Sequence, residues 1–429
     1  MRGPASCPAA AESRHGSRGR AGSARRRAGA MRLTIVQYAG DYREAFERFA
    51  SGGKATYQAQ RYSVDFVGSL AARLEQVSVV CALGDTPSDV VLANGVRAVN
   101  VGLGEPLDVD RLLQAVAATR PDRLCIVTPV AGLIRWGIAQ RLPMLLTLAD
   151  SFKTAGLREK LRAWRLARLL AHDRVEWIGN HGLNACLSLL SIGASPRKVI
   201  PWDWPPSFNP HDRAAKARAA GPARIVYVGA IEEAKGVGDV LEAVALLRGE
   251  GVAAEATFYG AVKAPDLPAM AERLGLGGVV RFAGLVANED VPGIMAAADY
   301  VVVPSRHEYP EGLPLTIYEA LASRTPLVAS DHPMFRGALV DGRSARIFAA
   351  GSPRALADAL AGLERAPALY AALSEGGAAA WDALQLPVTW GALVEHWLEG
   401  EAGWLADHAV ASGRYDARLA ERRAALRGA

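Results

Sequence analysis

Long apolar runs and secretory signals are missing from this 429-residue sequence. No segment approaches the roughly 18 consecutive apolar residues that a membrane-spanning helix requires. No apolar segment of the secretory type is visible either. The sequence therefore predicts a protein that is not integral to a membrane and that is cytoplasmic, with the inner face of the membrane as an alternative location.

Cysteine is scarce, and its spacing matches no metal site. The four cysteines are Cys7, Cys81, Cys125 and Cys186. Cys81 and Cys125 lie within apolar, strand-like segments, where a buried reduced thiol is the usual state. The segment "LDVDR" at 107–111 places an aspartate where helix N-caps are common, which explains it without a metal ion. We therefore predict no metal ion and no cofactor.

Excess charge of one sign is absent from most of the chain. The formal net charge is +5, but residues 1–30 hold seven arginines, no lysine and one glutamate, which is +6. The remaining residues then sum to 5 − 6 = −1, so no nucleic-acid partner is expected. Residues 1–30 lack apolar periodicity and are predicted to be a disordered or non-native extension, with a transit peptide as the alternative.

Short β-rich segments alternate with helical patterns from Met31 onward. Continuous apolar strands are typical of parallel sheets covered on both faces, and strand–helix alternation builds βαβ units. The alternation stops in a stretch rich in proline, alanine and charge, and then restarts. We predict an α/β fold with two doubly wound parallel-sheet domains facing a central cleft, at 31–205 and 224–385, joined by a linker at 206–223 and followed by a helical segment at 386–429 that packs back towards the first domain.

Two segments of the second half place a loop before a helix in a way that suits a phosphate group. In "RIVYVGAIEEAKGVGDVL" a strand ends at Gly229, and Lys235 stands at the entrance of the next helix. A helix N-terminus offers unpaired N–H groups and partial positive charge, and a lysine adds a mobile point charge. A solvated lysine is the simpler alternative.

The segment "EGLPLTIYEALA" repeats this arrangement and adds two carboxylates. Gly312 permits a tight turn, and the amides of Gly312, Leu313 and Leu315 suit an oxyanion. Glu311 precedes the predicted helix and Glu319 lies within it. Because carboxylates accept hydrogen bonds, the hydroxyl pairs of sugars are natural partners. The alternative is that Glu319 faces solvent.

Four segments of the second half together resemble a known family. These are "VYVGAIEEAKG", "VVRFAGLV", "AAADYVVVPS" and "EGLPLTIYEALASRTPLVAS". In this order and spacing they are similar to the C-terminal domain of retaining glycosyltransferases of family 4, within the glycosyl transferases group 1. The resemblance is clear over about residues 200–365 and loose over 31–200. It implies the GT-B fold, in which two Rossmann-like domains enclose a deep cleft.

The resemblance also implies an activity and a set of site residues. The activity is retaining transfer of a sugar from a nucleotide diphosphate sugar (UDP-, GDP- or ADP-sugar) to a glycan, lipid-linked or small-molecule acceptor. Glu319 would bind the ribose hydroxyls, Glu311 would contact the donor sugar near the reacting centre, and Lys235 would neutralise the leaving diphosphate. The implied catalytic residues are Glu311, Lys235 and Asp150. The implied donor-binding residues are Gly53, Gly229, Lys235, Glu311, Gly312, Leu313, Leu315 and Glu319.

The chain departs from the family pattern at two positions. Ala230 stands where the family often has arginine, so one phosphate cation is missing or is supplied from elsewhere. Ala149 precedes Asp150 where the family often has histidine, which removes the usual sugar-contacting histidine of the first domain.

On the acceptor side, residues 154–174 ("TAGLREKLRAWRLARLLAHDR") form a basic amphipathic helical pattern. Such a helix either packs its leucines on its own domain with a solvated basic face, or lies on an anionic membrane surface. A peripheral contact with a membrane is therefore one predicted partner interaction.

Other classes of protein remain open at this point. One is a nucleotide-sugar epimerase or phosphorylase on the same fold, and another is a non-catalytic protein that binds sugar nucleotides. A nicotinamide dehydrogenase is disfavoured because no G-x-G-x-x-G follows an early strand. No Ser/His/Asp or Cys/His nucleophile arrangement is visible in the sequence either.

Overall fold

The computed structural model describes residues 30–152 and 156–427. The extension predicted at residues 1–30 therefore lies outside the described residues, apart from its last position. Within the described residues, no helix combines the length and the apolar character needed to cross a membrane.

The first half of the chain builds an eight-stranded sheet around which six helices pack. Its strands are β1 (Arg32–Ala39), β2 (Gln76–Leu83), β3 (Ser88–Val91), β4 (Val96–Leu103), β5 (Arg123–Ile126), β6 (Met144–Leu148), β7 (Val175–His181) and β8 (Val199–Trp202). Its helices are α1 (Tyr42–Ala50), α2 (Gln60–Ala71), α3 (Val109–Ala118), α4 (Ala131–Ala139), α5 (Leu157–Leu170) and α6 (Leu183–Ser191). The strand order is β3-β4-β2-β1-β5-β6-β7-β8.

The second half builds a six-stranded sheet in the order β11-β10-β9-β12-β13-β14. Its strands are β9 (Ala223–Val228), β10 (Ala254–Tyr259), β11 (Val280–Gly284), β12 (Tyr300–Val303), β13 (Leu327–Ser330) and β14 (Arg346–Phe348). Its helices are α7 (Val237–Gly249), α8 (Asp266–Arg273), α9 (Val291–Ala297), α10 (Leu315–Ala322), α11 (Pro353–Arg365) and α12 (Pro367–Leu384). Its described strand pairs are all parallel.

The chain then crosses back to the first sheet. Three helices follow, α13 (Trp390–Glu399), α14 (Ala402–Asp407) and α15 (Asp416–Arg427). Trp390 and Trp397 of α13 are buried in one core with Leu33 of β1 and Trp202 of β8. Such buried aromatic side chains contribute a large apolar area to a core.

The α/β class with two parallel-sheet domains is confirmed, with one departure in the first sheet. β3 pairs antiparallel with β4 at the sheet edge. Its four residues, "SDVV", are mostly exposed, so they lack the continuous apolar run by which the other strands are recognisable. A short exposed edge strand carries little sequence signal.

The ends of the parallel strands determine where a site can form. β6, β7 and β8 end at Leu148, His181 and Trp202, and β9 and β12 end at Val228 and Val303. Ligands of such sheets bind in the crevice outside the carboxyl ends of the strands. The loops that follow these strands therefore form the edge of the sheets at which a binding site can lie.

Candidate active site

An ion pair between a half-buried lysine and a buried glutamate lies at the carboxyl end of the second sheet. Lys235 Nζ is 2.5 Å from Glu311 Oε1, and Ser305 donates its hydroxyl to the same oxygen at 2.7 Å. The Lys235 ammonium also lies 4.2 Å from the ring centroid of Tyr309, a distance at which a cation is attracted to an aromatic face. Glu311 is 6% exposed. The sequence therefore brings two of the predicted catalytic residues, Lys235 and Glu311, into direct contact.

Glycine at two positions is required for the loops around this pair to come together. Gly236, between Lys235 and α7, has φ +74°, and a Cβ there would lie 2.2 Å from the carbonyl oxygen of Pro304. A Cβ on Gly260 would lie 1.8 Å from the carbonyl oxygen of Gly229. These close main-chain approaches hold the loops after β9, β10 and β12 together, which places Lys235 beside Ser305.

Glu319 is buried on α10 and is held by an asparagine that the sequence analysis missed. Asn288 donates its side-chain amide to Glu319 Oε1 at 2.7 Å. Glu319 is 3% exposed, so the alternative that it faces solvent is wrong. Burial raises the pKa of Glu319 to about 7, and the Asn288 hydrogen bond opposes this rise. A buried carboxylate with only one described hydrogen bond retains capacity to accept more.

The first domain touches the loop that carries Asn288. The backbone N–H of Asn288 donates to the carbonyl of Ala55 at 3.0 Å, and Lys54 pairs with Glu289 and, at 3.6 Å, with Asp290. Gly53 immediately precedes Lys54 and donates its N–H to Arg48 at the end of α1. A Cβ on Gly53 would lie 2.5 Å from the Arg48 Cγ, so the helix end explains this glycine, and its role at donor phosphates stays a prediction.

Asp150 lies just after the carboxyl end of β6 in the first sheet. Its Oδ2 atom is buried without a hydrogen-bond partner, and burial raises the pKa of Asp150 to about 6. A Cβ on Gly312 would lie 3.3 Å from the carbonyl oxygen of Ala149, so the Gly312 turn approaches the main chain next to Asp150. No described hydrogen bond or ion pair joins Asp150 to Glu311, and its catalytic role stays a prediction.

The predicted amide cradle lies at the start of α10. The helix begins at Leu315, and Pro314 is its N-cap in extended conformation. The first N–H groups of a helix have no partner within the helix. Gly312 and Leu313 precede the cap and pack against the edge of the first sheet at Ala149 and Gly182. The arrangement leaves backbone donors next to the Lys235–Glu311 pair.

Ala230 stands where the family often has an arginine that would contact phosphate, so the question is whether a neighbouring cation takes its place. Ala230 contributes only its backbone, whose carbonyl accepts the Tyr227 hydroxyl at 2.6 Å. Arg306 lies next to Ser305, but its guanidinium is bound to the buried Asp239, with its Nη2 2.6 Å from Oδ1. Lys235 is therefore the cation that directly adjoins Glu311 among the described contacts.

Ser305, Tyr309 and Asn288 were not among the residues predicted from the sequence. Ser305 had a usable signal, because a polar residue directly after the apolar strand "YVVVP" lies at the ligand-binding edge of a parallel sheet. Asn288 had none, because it lies in a short 3-10 turn at Asn288–Asp290 with no periodicity to mark it.

One group of potential metal ligands is present elsewhere among the described residues. His396, Glu399 and Glu401 place one ligand atom each within 4.8 Å of one another. His396 Nδ1 is already 2.7 Å from Glu401 Oε2, and the His396 ring stacks on Trp404. This group lies at the end of α13 and shares no residue with the Lys235–Glu311 pair.

Comparison with known proteins gives a consistent picture. Residues 208–379 match the family model described as "Glycosyl transferases group 1". The chain is 30% identical over 280 residues to the D-inositol 3-phosphate glycosyltransferase 2 of Catenulispora acidiphila, which is 60% of this chain and 61% of that relative. The alignment thus spans about six tenths of the relative's length.

Solved structures share the whole architecture. The sucrose-phosphate synthase from Thermosynechococcus elongatus has 16% identity and a TM-score of 0.63, covering 87% of this chain and 99% of its own. Anabaena Alr3699/HepE, solved in complex with UDP-glucose, has 15% identity and a TM-score of 0.61, covering 87% and 100%. At these identities the likeness is one of fold, and that fold is GT-B.

Proposed function

We propose that this chain transfers a sugar with retention from a nucleotide diphosphate sugar. The premise is that the chain belongs, through residues 208–379, to the glycosyl transferases group 1 family. The observation that carries this proposal is the contact of Lys235 and Ser305 with the buried Glu311, beside a helix that holds the buried Glu319. The cation and the free backbone amides suit a diphosphate, and the two carboxylates suit the hydroxyl pairs of the sugars on either side of it.

In this proposal Glu319 binds the ribose and Glu311 contacts the transferred sugar. Lys235 and Ser305 both hydrogen-bond to Glu311 Oε1, which holds the Glu311 side chain in place for this contact. When the glycosidic bond to phosphate breaks, negative charge grows on the leaving diphosphate. Lys235 and the amides of Gly312, Leu313 and Leu315 then stabilise a charge that is larger in the transition state than in the ground state.

Retention in this proposal requires the acceptor hydroxyl to attack the sugar on the same face from which the diphosphate departs, while the site stabilises the charges electrostatically and supplies no covalent nucleophile. The described site contains a lysine, a serine and carboxylates, with no His-activated Ser or Cys in contact with the pair. Asp150, with its unpartnered Oδ2 and a pKa near 6, is the proposed first-domain group facing the positively charged, oxocarbenium-like sugar. A carboxylate there stabilises that charge once it is ionised.

The donor and acceptor are narrower proposals. The structural neighbour Alr3699/HepE is described with UDP-glucose, which makes a UDP-sugar the first donor to test ahead of GDP- and ADP-sugars. The relative from Catenulispora is a D-inositol 3-phosphate glycosyltransferase, which supports trying polyol phosphates among the small-molecule acceptors. Glycans and lipid-linked sugars remain acceptor classes, and the proposed location is the cytoplasm.

A panel of nucleotide sugars tests this function. The wild-type protein and the Glu311→Gln variant are incubated with UDP-, GDP- and ADP-sugars, with and without EDTA, and free nucleotide diphosphate is measured. We expect release from at least one donor, unaffected by EDTA, and a loss on the order of 100-fold in Glu311→Gln. Glu255→Gln, at an exposed position of β10, is the matched control. An epimer or a sugar 1-phosphate as product identifies an epimerase or a phosphorylase instead.

We further propose that α5 brings the protein to an anionic membrane surface. Leu157, Leu161 and Trp164 are 87%, 46% and 54% exposed, and their spacing of four and three residues places them on one helix face. The cations that flank this face are Arg158, Lys160, Arg162, Arg165 and Arg168. The expectation that the leucines of this helix all pack on the domain is wrong for two of them, although Leu170 is buried.

Flotation with lipid vesicles tests the membrane contact. Wild-type protein is expected to float with phosphatidylglycerol vesicles and not with phosphatidylcholine vesicles, and less so at high salt. The Leu157→Ser/Leu161→Ser variant is expected to remain unbound. Val90→Ser/Val91→Ser, on the exposed edge strand β3, is the control and should bind like wild type. Equal binding by both variants contradicts the proposal.

A further inference from the structure

A buried chain of three side chains joins the first domain to the helix that carries Glu319. His181, the last residue of β7, has Nε2 2.8 Å from Asp203 Oδ1. Tyr318 of α10 donates its hydroxyl to Asp203 Oδ2 at 2.6 Å. His181, Asp203 and Tyr318 are 5%, 4% and 6% exposed. Hydrogen bonds in such a water-poor environment are electrostatically stronger than at the surface.

Asp203 stands where the chain crosses between the domains in both directions. Its backbone N–H donates to Val388 at 2.9 Å, and its carbonyl accepts from the N–H of Trp390 at 3.1 Å. Val388 and Trp390 belong to the segment that returns to the core of the first domain. The Asp203 carboxylate is therefore held where the two connections between the domains lie side by side. Each of its oxygens binds a side chain from a different domain.

This carboxylate also determines how the His181 ring is used. Asp203 Oδ1 accepts a second hydrogen bond from the N–H of Trp204 at 2.8 Å. Nε2 of His181 is the ring nitrogen that contacts Asp203, and Nδ1 faces away from Asp203. A Cβ on Gly312 would lie 3.9 Å from Nδ1, so the turn that follows Glu311 passes over this edge of the ring.

We propose that His181, Asp203 and Tyr318 form an interdomain latch that positions the turn at 311–315 for transfer. The inference rests on the proposed function, because the turn holds Glu311 and the amides assigned to the donor. Tyr318 directly precedes Glu319, so its bond to Asp203 fixes the rotation of α10. His181 supports the Gly312 turn from the first-domain side. His181 is a positioning residue, since its described bonds reach Asp203 and not the reacting groups.

Kinetics and hydrogen–deuterium exchange on four single variants and one double variant test the latch. His181→Ala and Tyr318→Phe are each expected to lower kcat roughly tenfold or more, because a misplaced reacting group is costly, while the KM for the donor changes little. His181→Gln keeps an N–H that reaches Asp203 and should restore most of kcat. The double variant His181→Ala/Tyr318→Phe should lose no more than the larger single loss, as residues of one unit do.

The control removes a matched hydroxyl elsewhere in the second domain. Tyr300 of β12 is buried and its hydroxyl binds Glu364, so Tyr300→Phe loses a comparable hydrogen bond without touching the latch. In exchange experiments on the intact protein, the amides of 311–315 should exchange faster in His181→Ala and Tyr318→Phe, and at the wild-type rate in Tyr300→Phe.

The two measurements separate failure of the latch from failure of the proposed function. If no nucleotide sugar is turned over but the 311–315 amides exchange faster in both latch variants, the function is wrong and the latch stands. If both latch variants keep the wild-type kcat and exchange rates, or if their losses in kcat multiply in the double variant, the latch is wrong.

Discussion

At the scale of single residues, the site is built from a few buried charges whose partners differ. Glu311 has a cation and a hydroxyl on one oxygen, whereas Glu319 has one amide. The raised pKa of Glu319 is a consequence of burial without a compensating charge. A diol that donates two hydrogen bonds would supply what Glu319 lacks, and it would favour the ionised form.

Glu319→Ala should therefore weaken the binding of a nucleotide diphosphate. Hydrogen bonds to a charged acceptor are worth about 1.5–3 kcal/mol each, so we expect a loss of affinity in that range. Isothermal titration calorimetry measures it. The Glu255→Ala variant is the control, and unchanged affinity in a folded Glu319→Ala protein contradicts the ribose-binding role.

The pH dependence of binding tests the same residue in another way. Because burial raises the pKa of Glu319 from its ordinary value of 4.5 to about 7, this carboxyl is largely protonated in the free protein below that pH. If the diol binds the ionised form, affinity rises as the pH passes through about 7. The difference in affinity between wild type and Glu319→Gln should grow over this interval. Comparing the two proteins with one ligand cancels the titration of the diphosphate itself, and a pH-independent difference would count against the assignment.

The free energy of unfolding should depend on pH in the opposite direction to the ligand affinity. A carboxyl whose folded pKa is raised stabilises the fold below its unfolded pKa of about 4.5, and this contribution is lost as the pH rises through about 7. The free energy of unfolding of Glu319→Gln should therefore fall less than that of wild type over the same interval, as chemical denaturation at each pH would measure.

Lys235→Ala should harm turnover more than Glu319→Ala does. In the proposed reaction the lysine adjoins the diphosphate, on which charge grows as the bond to the sugar breaks, and such interactions appear in kcat. The ribose contact is equal in the ground and transition states and appears mainly in KM. We expect a loss on the order of 100-fold in kcat for Lys235→Ala.

Steady-state kinetics on both variants decides this comparison. Lys263→Ala, which removes an exposed cation from the same domain, is the control and should behave like wild type. If Lys235→Ala raises KM alone, the lysine only binds the donor and another group supports the leaving diphosphate.

Residue identity in the site was only partly predictable from sequence. The Lys235–Glu311 contact joins two positions that the family resemblance selects together. Asn288, His181 and Asp203 were not selected, because their roles arise from which loops meet across the cleft. His181 is one of eight histidines in the sequence, and nothing but its place at the end of β7, beside the turn at Gly312, marks it out.

At the scale of elements, close main-chain contacts between loops matter as much as side chains. Gly236→Ala would place a Cβ 2.2 Å from the Pro304 carbonyl and would strain a residue with φ +74°. We expect a destabilisation of roughly 1–3 kcal/mol and a loss of activity, because Lys235 is displaced from Glu311. Thermal denaturation and donor turnover measure the two effects.

Gly249→Ala is the matched control for this substitution. Gly249 ends α7, and a Cβ there would meet no atom within 4 Å. In a helix, alanine is favoured over glycine by about 1 kcal/mol, so Gly249→Ala should be neutral or stabilising and fully active. Equal melting temperatures for the two alanine variants would show that the Gly236 contact is not tight in solution.

The elements of the second domain were the easiest to predict. Strands such as β9 and β12 coincide with the apolar segments "RIVYV" and "YVVV", in which three and four successive side chains are buried. β3 was missed because three of its four residues are exposed. Sequence patterns report burial, and an element that is not buried leaves no comparable pattern.

At the scale of the whole molecule, the two domains meet through polar contacts that surround the site. On one side of the site, Lys54 of the first domain forms ion pairs with Glu289 and Asp290 of the second. On another side, Asn184 donates hydrogen bonds to the carbonyls of Met334 and Arg336. The fold class follows from strand–helix alternation, but these contacts between distant segments do not. The domain boundaries at 205, 223 and 385 stay predictions, since the returning segment interleaves with the first domain's core.

The central claim is that the cleft transfers a sugar from a nucleotide diphosphate with retention. The most direct test is proton NMR of the wild-type protein with the α-linked nucleotide sugar that the panel identifies, following the first anomer released to water or acceptor before mutarotation. We predict nucleotide diphosphate together with the α-anomer, both lost in Glu311→Gln. Appearance of the β-anomer, of a sugar 1-phosphate or of an epimerised donor would contradict the account.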